Sequence, residues 1–162
     1  FKPIPDGVSA STWRDVLEEW LPKYEEVGWL DGLHKIRIGP NAAKRQNENA
    51  VGRYNHGGSI DLNNDIDLGA FAGLVHDGDR EAVLTHEVIH HAHLSINGYE
   101  NSRSSSNKEA MLKQDVSWYA GSNVGEAIAE IGTGIVHGEE FPSWVHEYYE
   151  EKRGPMEAYD IG

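Results

Sequence analysis

Three observations predict an α+β fold for this 162-residue chain. Short apolar runs suited to strands fall between residues 36 and 62. Longer stretches with apolar residues at helical spacing fill much of the remainder. The two stretches that carry paired histidines and paired carboxylates are both helical in pattern. The expected architecture is a small twisted sheet packed against those two helices. The length suits one domain over 1–162, large enough to bury a core without cross-links.

Residues 1–10 contain Pro3, Pro5 and Gly7 and read as an arm. Trp13, Val16, Leu17, Trp20 and Leu21 then recur at helical spacing, with Ser11 or Thr12 as a cap. Core packing is the expected use of the two tryptophans. Pro22 interrupts this pattern, so a second short turn carrying Tyr24 and Val27 is expected, stopped by Gly28. Ile36–Ile38 reads as a strand closed by Gly39-Pro40, and residues 41–50 as a polar loop. Val51–Tyr54 and Ser59–Leu62 read as two more strands, with Gly57-Gly58 as the turn between them. Hairpin connections are expected throughout the sheet, and Ile36–Ile38 is a candidate edge for pairing an extended peptide.

Asp61, Asp65 and Asp67 alternate like the start of a calcium loop. An EF-hand needs glycine and glutamate where this chain has Ile66 and Ala72, so that motif is rejected. Asx turns are the expected reading of the segment, with an irregular calcium site as the rival. Residues 69–78 read as a connection. A helix is expected from near Asp79 to about Leu94, capped by Asp77 or Asp79 and backed by Val83, Leu84, Val88, Ile89 and Ala92. Residues 95–106, with Asn97-Gly98 and a serine cluster, read as a loop. Ser106 and Glu109 have capping-box spacing for a helix through Met111, Leu112 and Val116 that ends near Gly121. Asn123 stands three residues before Glu126 and starts a buried helix through Val136, rich in alanine and glycine. A last helix runs from near Pro142 to before Gly154, with an irregular end after it.

The chain has no cysteine, which excludes disulfides, thiolate zinc sites and a cysteine nucleophile. Its net charge of -13 argues against nucleic acid and anionic membrane as partners. No apolar run approaches membrane-spanning length, and no signal peptide is visible. The start at Phe1 rather than Met points to a processed product or a domain excised from a larger protein. The compartment stays open, with a secreted or extracellular setting favoured.

The chemistry lies in His86-Glu87-Val88-Ile89-His90, an HExxH motif. On a helix, His86 and His90 share one face and offer two imidazoles to one ion. Glu87 is placed to act as a general base on a water activated by that metal. Glu126 is the best third ligand, because a carboxylate on an otherwise apolar helix needs a cation or donors. Glu130, one turn on, could instead hold the far nitrogen of His86 or His90. His93, His76, His137 and Asp115 are rival ligands, and His91 is expected to point elsewhere. His137, His146, Tyr148 and Tyr149 are candidates for stabilising an oxyanion. Ligation by imidazole and carboxylate without thiolate makes Zn2+ the best metal.

These residues resemble the zincin-fold metallopeptidases, and in particular the gluzincin, thermolysin-like branch. That branch pairs HExxH with a later glutamate helix, matched here by Gly125-Glu126-Ala127-Ile128-Ala129-Glu130. The resemblance covers mainly residues 80–136. It implies a minimal zincin-like fold, zinc on His86, His90 and Glu126, and Glu130 orienting a metal histidine. It implies a zinc metalloendopeptidase with a peptide or protein substrate and Glu87 as the catalytic base. Gly125 departs from the family's common asparagine and Glu130 from its aspartate. The metzincin pattern fails, because His93 and Ile96 stand where it needs glycine and histidine. Two rival readings share the motif: a non-catalytic zincin-like binding or assembly domain, and a metal-dependent amidase acting on cell-wall peptides.

Overall fold

A computed structural model describes residues 13–39, 52–63, 80–98 and 102–161. The expected arm at 1–10, the caps Ser11 and Thr12, the loop at 41–50, Asp65–Asp67, the connection at 69–78 with His76, and the caps Asp77 and Asp79 lie outside the described residues. The fold is mixed α+β, with one three-stranded sheet and six α-helices among the described residues.

Helix α1 spans Asp15–Glu26 without a break. The sequence pattern divides this segment at Pro22, and the structure corrects that. A proline costs a helix one N–H and crowds the preceding turn. Here the affected turn is exposed, while Trp13, Leu17, Leu21 and Tyr24 on the other side are almost wholly buried. Burial of that face outweighs the local cost. Trp13 also donates its indole N–H to the Asn63 carbonyl at 2.7 Å.

The strands are β1 (Lys35–Gly39), β2 (Gly52–Asn55) and β3 (Ser59–Asn63), in spatial order β1-β3-β2. β2 and β3 form the expected hairpin, turning through Gly58 at φ +92°. β1 is not hairpin-connected. It pairs in parallel with β3, Ile36 opposite Ile60 and Ile38 opposite Leu62. β3 takes the centre because both its faces are buried. Its Ile60 and Leu62 enter the core, and Asp61 on the opposite face is satisfied by the Arg37 guanidinium and by Asn55 Nδ2 at 3.0 Å. An arginine on Asp61 leaves that carboxylate poorly suited to a calcium ion.

Helix α2 covers Arg80–Asn97, so residues 95–97 are helical rather than loop. Gly98, at φ +70°, closes it with its N–H on the Leu94 carbonyl at 2.7 Å. Helix α3 (Ser106–Asp115) is capped by Ser105, one residue before the expected cap. A 3-10 turn at Tyr119–Gly121 leads into α4 (Val124–Val136), whose cap Asn123 accepts the Glu126 N–H at 2.8 Å. Helix α5 spans Ser143–Glu151. The tail is not irregular: Ala158–Ile161 forms a short α6 that packs on α4. No helix among the described residues is long and apolar enough to cross a membrane.

Candidate metal centre

Helices α2 and α4 pack directly on one another. Val88 and Ile89 of α2 and Ile128 and Ile131 of α4 are fully buried in the shared core. The close approach depends on Gly132, where a Cβ would sit 2.7 Å from Ile89 Cδ1. This packing brings His86 and His90 of α2 up to Glu126 and Glu130 of α4.

The four side chains form one network. His86 Nδ1 lies 2.8 Å from Glu130 Oε2, and His86 Nε2 lies 2.8 Å from Glu126 Oε2. His90 Nε2 stands 3.1 Å from His86 Nε2 and 3.2 Å from Glu126 Oε1. Ser117 donates its hydroxyl to Glu130 Oε1 at 2.7 Å, so both oxygens of that buried carboxylate are engaged. With Nδ1–H on Glu130, the Nε2 lone pair of the neutral ring points at the Glu126 carboxylate. Two imidazole nitrogens and a carboxylate then converge, an arrangement that calls for a cation or a proton. Ligands about 2.0–2.2 Å from one zinc ion stand about 3.3 Å apart in a tetrahedron, close to these separations. The residues fit a zinc ion.

The electrostatics carry the same demand. Burial alone would lower the His86 pKa, but the hydrogen bonds and charges of Glu126 and Glu130 outweigh it and hold it well above its ordinary value. Burial pulls Glu126 up, yet His90 and His86 overcome this and keep it well below the usual carboxylate range. Glu87 behaves differently. Burial raises its pKa, only partly opposed by His86, His90 and a hydrogen bond from the Tyr54 main chain. His86, Glu87 and His90 offer ligand atoms that all lie within 4.8 Å of one another. Glu126 is closer still to both imidazoles, at 2.8 and 3.2 Å, so the two carboxylates are distinguishable by distance as well as by the direction of their pKa shifts.

Tyr119 escapes the sequence reading. Its ring centroid is 5.8 Å from that of His86. Burial raises its pKa, and the charges of Glu126, Glu87 and Glu130 raise it further, so the phenol stays protonated. Only its position on the turn just before the glutamate helix could have pointed to it.

The residues proposed as oxyanion stabilisers go elsewhere. His137 Nε2 is 2.9 Å from Thr85 Oγ1, His146 Nδ1 is 2.7 Å from the Tyr159 hydroxyl, Tyr148 meets Ser104 at 3.1 Å, and Tyr149 donates to the Pro155 carbonyl at 2.6 Å. Among the rival ligands, His93 lies 3.0 Å from the Lys152 carbonyl and Asp115 accepts from the Trp144 indole at 2.8 Å. His91 points elsewhere, as expected, and is buried between Tyr54 and Asp31. β1 is an edge strand among the described residues, as expected, but it is the other edge strand, β2, that packs along α2.

No family model matches the chain, and no curated protein or solved structure matches it. The class therefore rests on geometry alone. The His86–Glu87–His90 cluster is of the HExxH, zincin type and suits a metal-activated catalytic site.

Proposed function

We propose that the chain is a zinc-dependent metalloendopeptidase of gluzincin type. The observation that carries this is the different engagement of two carboxylates at one pair of imidazoles. Glu126 touches both, at 2.8 and 3.2 Å. Glu87 lies nearby, buried, with its pKa raised by that burial. A ligand and a general base require this separation of roles.

His86, His90 and Glu126 would hold the ion, with Glu130 fixing the His86 ring through Nδ1. A zinc ion there supplies Lewis acidity toward a carbonyl and lowers the pKa of water. Glu87 takes the proton of the attacking water and returns it to the departing amine. The protonated Tyr119 phenol, with its ring beside His86, is the candidate donor to the charge that develops on the carbonyl oxygen. A peptide or protein is thus the proposed substrate, and the net charge of -13 disfavours nucleic acid.

Elemental analysis of the wild type beside Glu87→Gln and Glu126→Ala tests the metal assignment. One zinc is expected in the first two and a substoichiometric amount in Glu126→Ala. Full zinc retention in Glu126→Ala overturns the ligand set. A panel of peptides, folded proteins and cell-wall fragments then identifies the amide that is cut.

A further inference from the structure

Strand β2 does more than flank the site. Two of its residues, Tyr54 and Gly52, meet α2 in different ways.

Tyr54 is the first. Its main chain faces the Glu87 carboxylate and works against the rise in pKa that burial imposes on it. Its hydroxyl lies 2.7 Å from His91 Nδ1, with the two rings 5.4 Å apart. The other nitrogen of His91, Nε2, is 2.6 Å from the Asp31 carbonyl. A carbonyl only accepts, so Nε2 carries the proton, and Nδ1 of the neutral ring accepts from the tyrosine O–H. The hydrogen bonds thus run from the Tyr54 hydroxyl through His91 to the Asp31 carbonyl, and so tie the strand that faces Glu87 to the turn at Asp31.

Gly52 is the second. A Cβ there would stand 2.9 Å from Val83 Cγ1, 3.1 Å from Glu87 Cγ and 3.1 Å from Glu87 Oε2. Any larger residue would push the strand off Glu87 or turn the carboxylate. Gly52 and Tyr54 are two residues apart on one strand, so the same stretch of backbone supplies both the space and the donor.

We propose that Gly52 and Tyr54 are positioning residues for Glu87: the strand clips its carboxylate in one orientation, and the Tyr54 hydroxyl, anchored through His91, holds the strand in register. A buried carboxylate needs a donor. An edge-strand N–H needs an acceptor. One oxygen on that N–H leaves the other for proton transfer. The role assigned to Glu87 in that transfer rests on the peptidase reading above; the clip itself does not.

The test uses the whole chain in two readouts. The first is amide hydrogen exchange at Tyr54, followed by NMR in metal-free and zinc-loaded protein. Protection is expected in the wild type, to fall at least tenfold in Glu87→Ala, and to fall severalfold in Tyr54→Phe, while the neighbouring β3 amides stay protected. Unchanged Tyr54 exchange in Glu87→Ala overturns the clip. The second is the split between kcat and KM on a peptide that the wild type cleaves. Tyr54→Phe and Gly52→Ala are expected to lower kcat at least tenfold with KM and zinc content unchanged. A Glu87→Gln protein that is inactive, beside Tyr54→Phe and Gly52→Ala proteins with wild-type kcat, overturns the positioning role and leaves the peptidase reading intact. A wild type that cleaves no peptide, but whose Tyr54 protection is lost in Glu87→Ala, supports the clip and removes the peptidase reading instead.

Discussion

Helix α2 presents histidines on two sides, and the two sides use the same side chain in opposite ways. His86 and His90 face carboxylates on α4. His91 and His93 face main-chain carbonyls, of Asp31 and Lys152, and His91 also meets a tyrosine hydroxyl. A neutral acceptor fixes a ring and its tautomer without adding charge. A carboxylate fixes the ring and also demands positive charge beside it. The difference lies in the partners, and it separates the histidines suited to a metal from those that pin the helix in place.

The sharpest break in this comparison comes from removing the base without touching either set. Glu87→Gln is expected to keep zinc and to lower cleavage about 10²- to 10⁴-fold, measured on a peptide that the wild type cuts. Undiminished turnover would mean that Glu87 is not the base. Next is the carboxylate behind His86. Glu130→Ala should weaken zinc binding about 10- to 100-fold in a chelator competition. An unchanged affinity would make the contact between Glu130 and His86 merely structural.

On the other face the outcome should reverse. His93→Ala should leave zinc stoichiometry intact and cost about 1–3 kcal/mol in denaturant unfolding, because it strands the Lys152 carbonyl and empties a buried site. Lost zinc in that protein would place His93 at the metal after all.

The smallest effect concerns pH. In metal-free protein, the raised His86 pKa means that its protonated form adds stability. That contribution is complete below the unfolded value of about 6.5 and is lost as pH rises through the folded value. Chelated protein should therefore lose a few degrees of Tm as pH rises above about 6.5, and zinc-loaded protein should not. Working in Glu87→Gln removes the slope of the same sign that the buried Glu87 carboxyl adds. A flat profile for the chelated protein would contradict the proposed charge demand.

Much of the helical framework was legible in the sequence because its signals are local. HExxH spacing places His86 and His90 on one face whatever surrounds the helix. Asn123 caps α4 as its spacing to Glu126 suggests. Glu126 and Glu130 reach the HExxH helix, as their lonely position on an apolar helix implied. The sheet was harder. Alternation located the strands and Gly57-Gly58 located one hairpin, but nothing local told β1 to pair in parallel with β3. Pro22 misled for a related reason: its cost is local, whereas the buried face that overrides it is set by distant partners.

The sequence by itself determined which residues could bind a metal, which helix faces carry them, and that no thiol takes part. Periodicity and residue chemistry suffice for that. Only the tertiary structure decided that Tyr119 stands against His86, that Ser117 completes the bonding of Glu130, and that β2 rather than β1 lies along the metal helix. Those contacts join residues far apart in the chain or across a turn. Helix packing and strand order fix them, and no local pattern of residues encodes either.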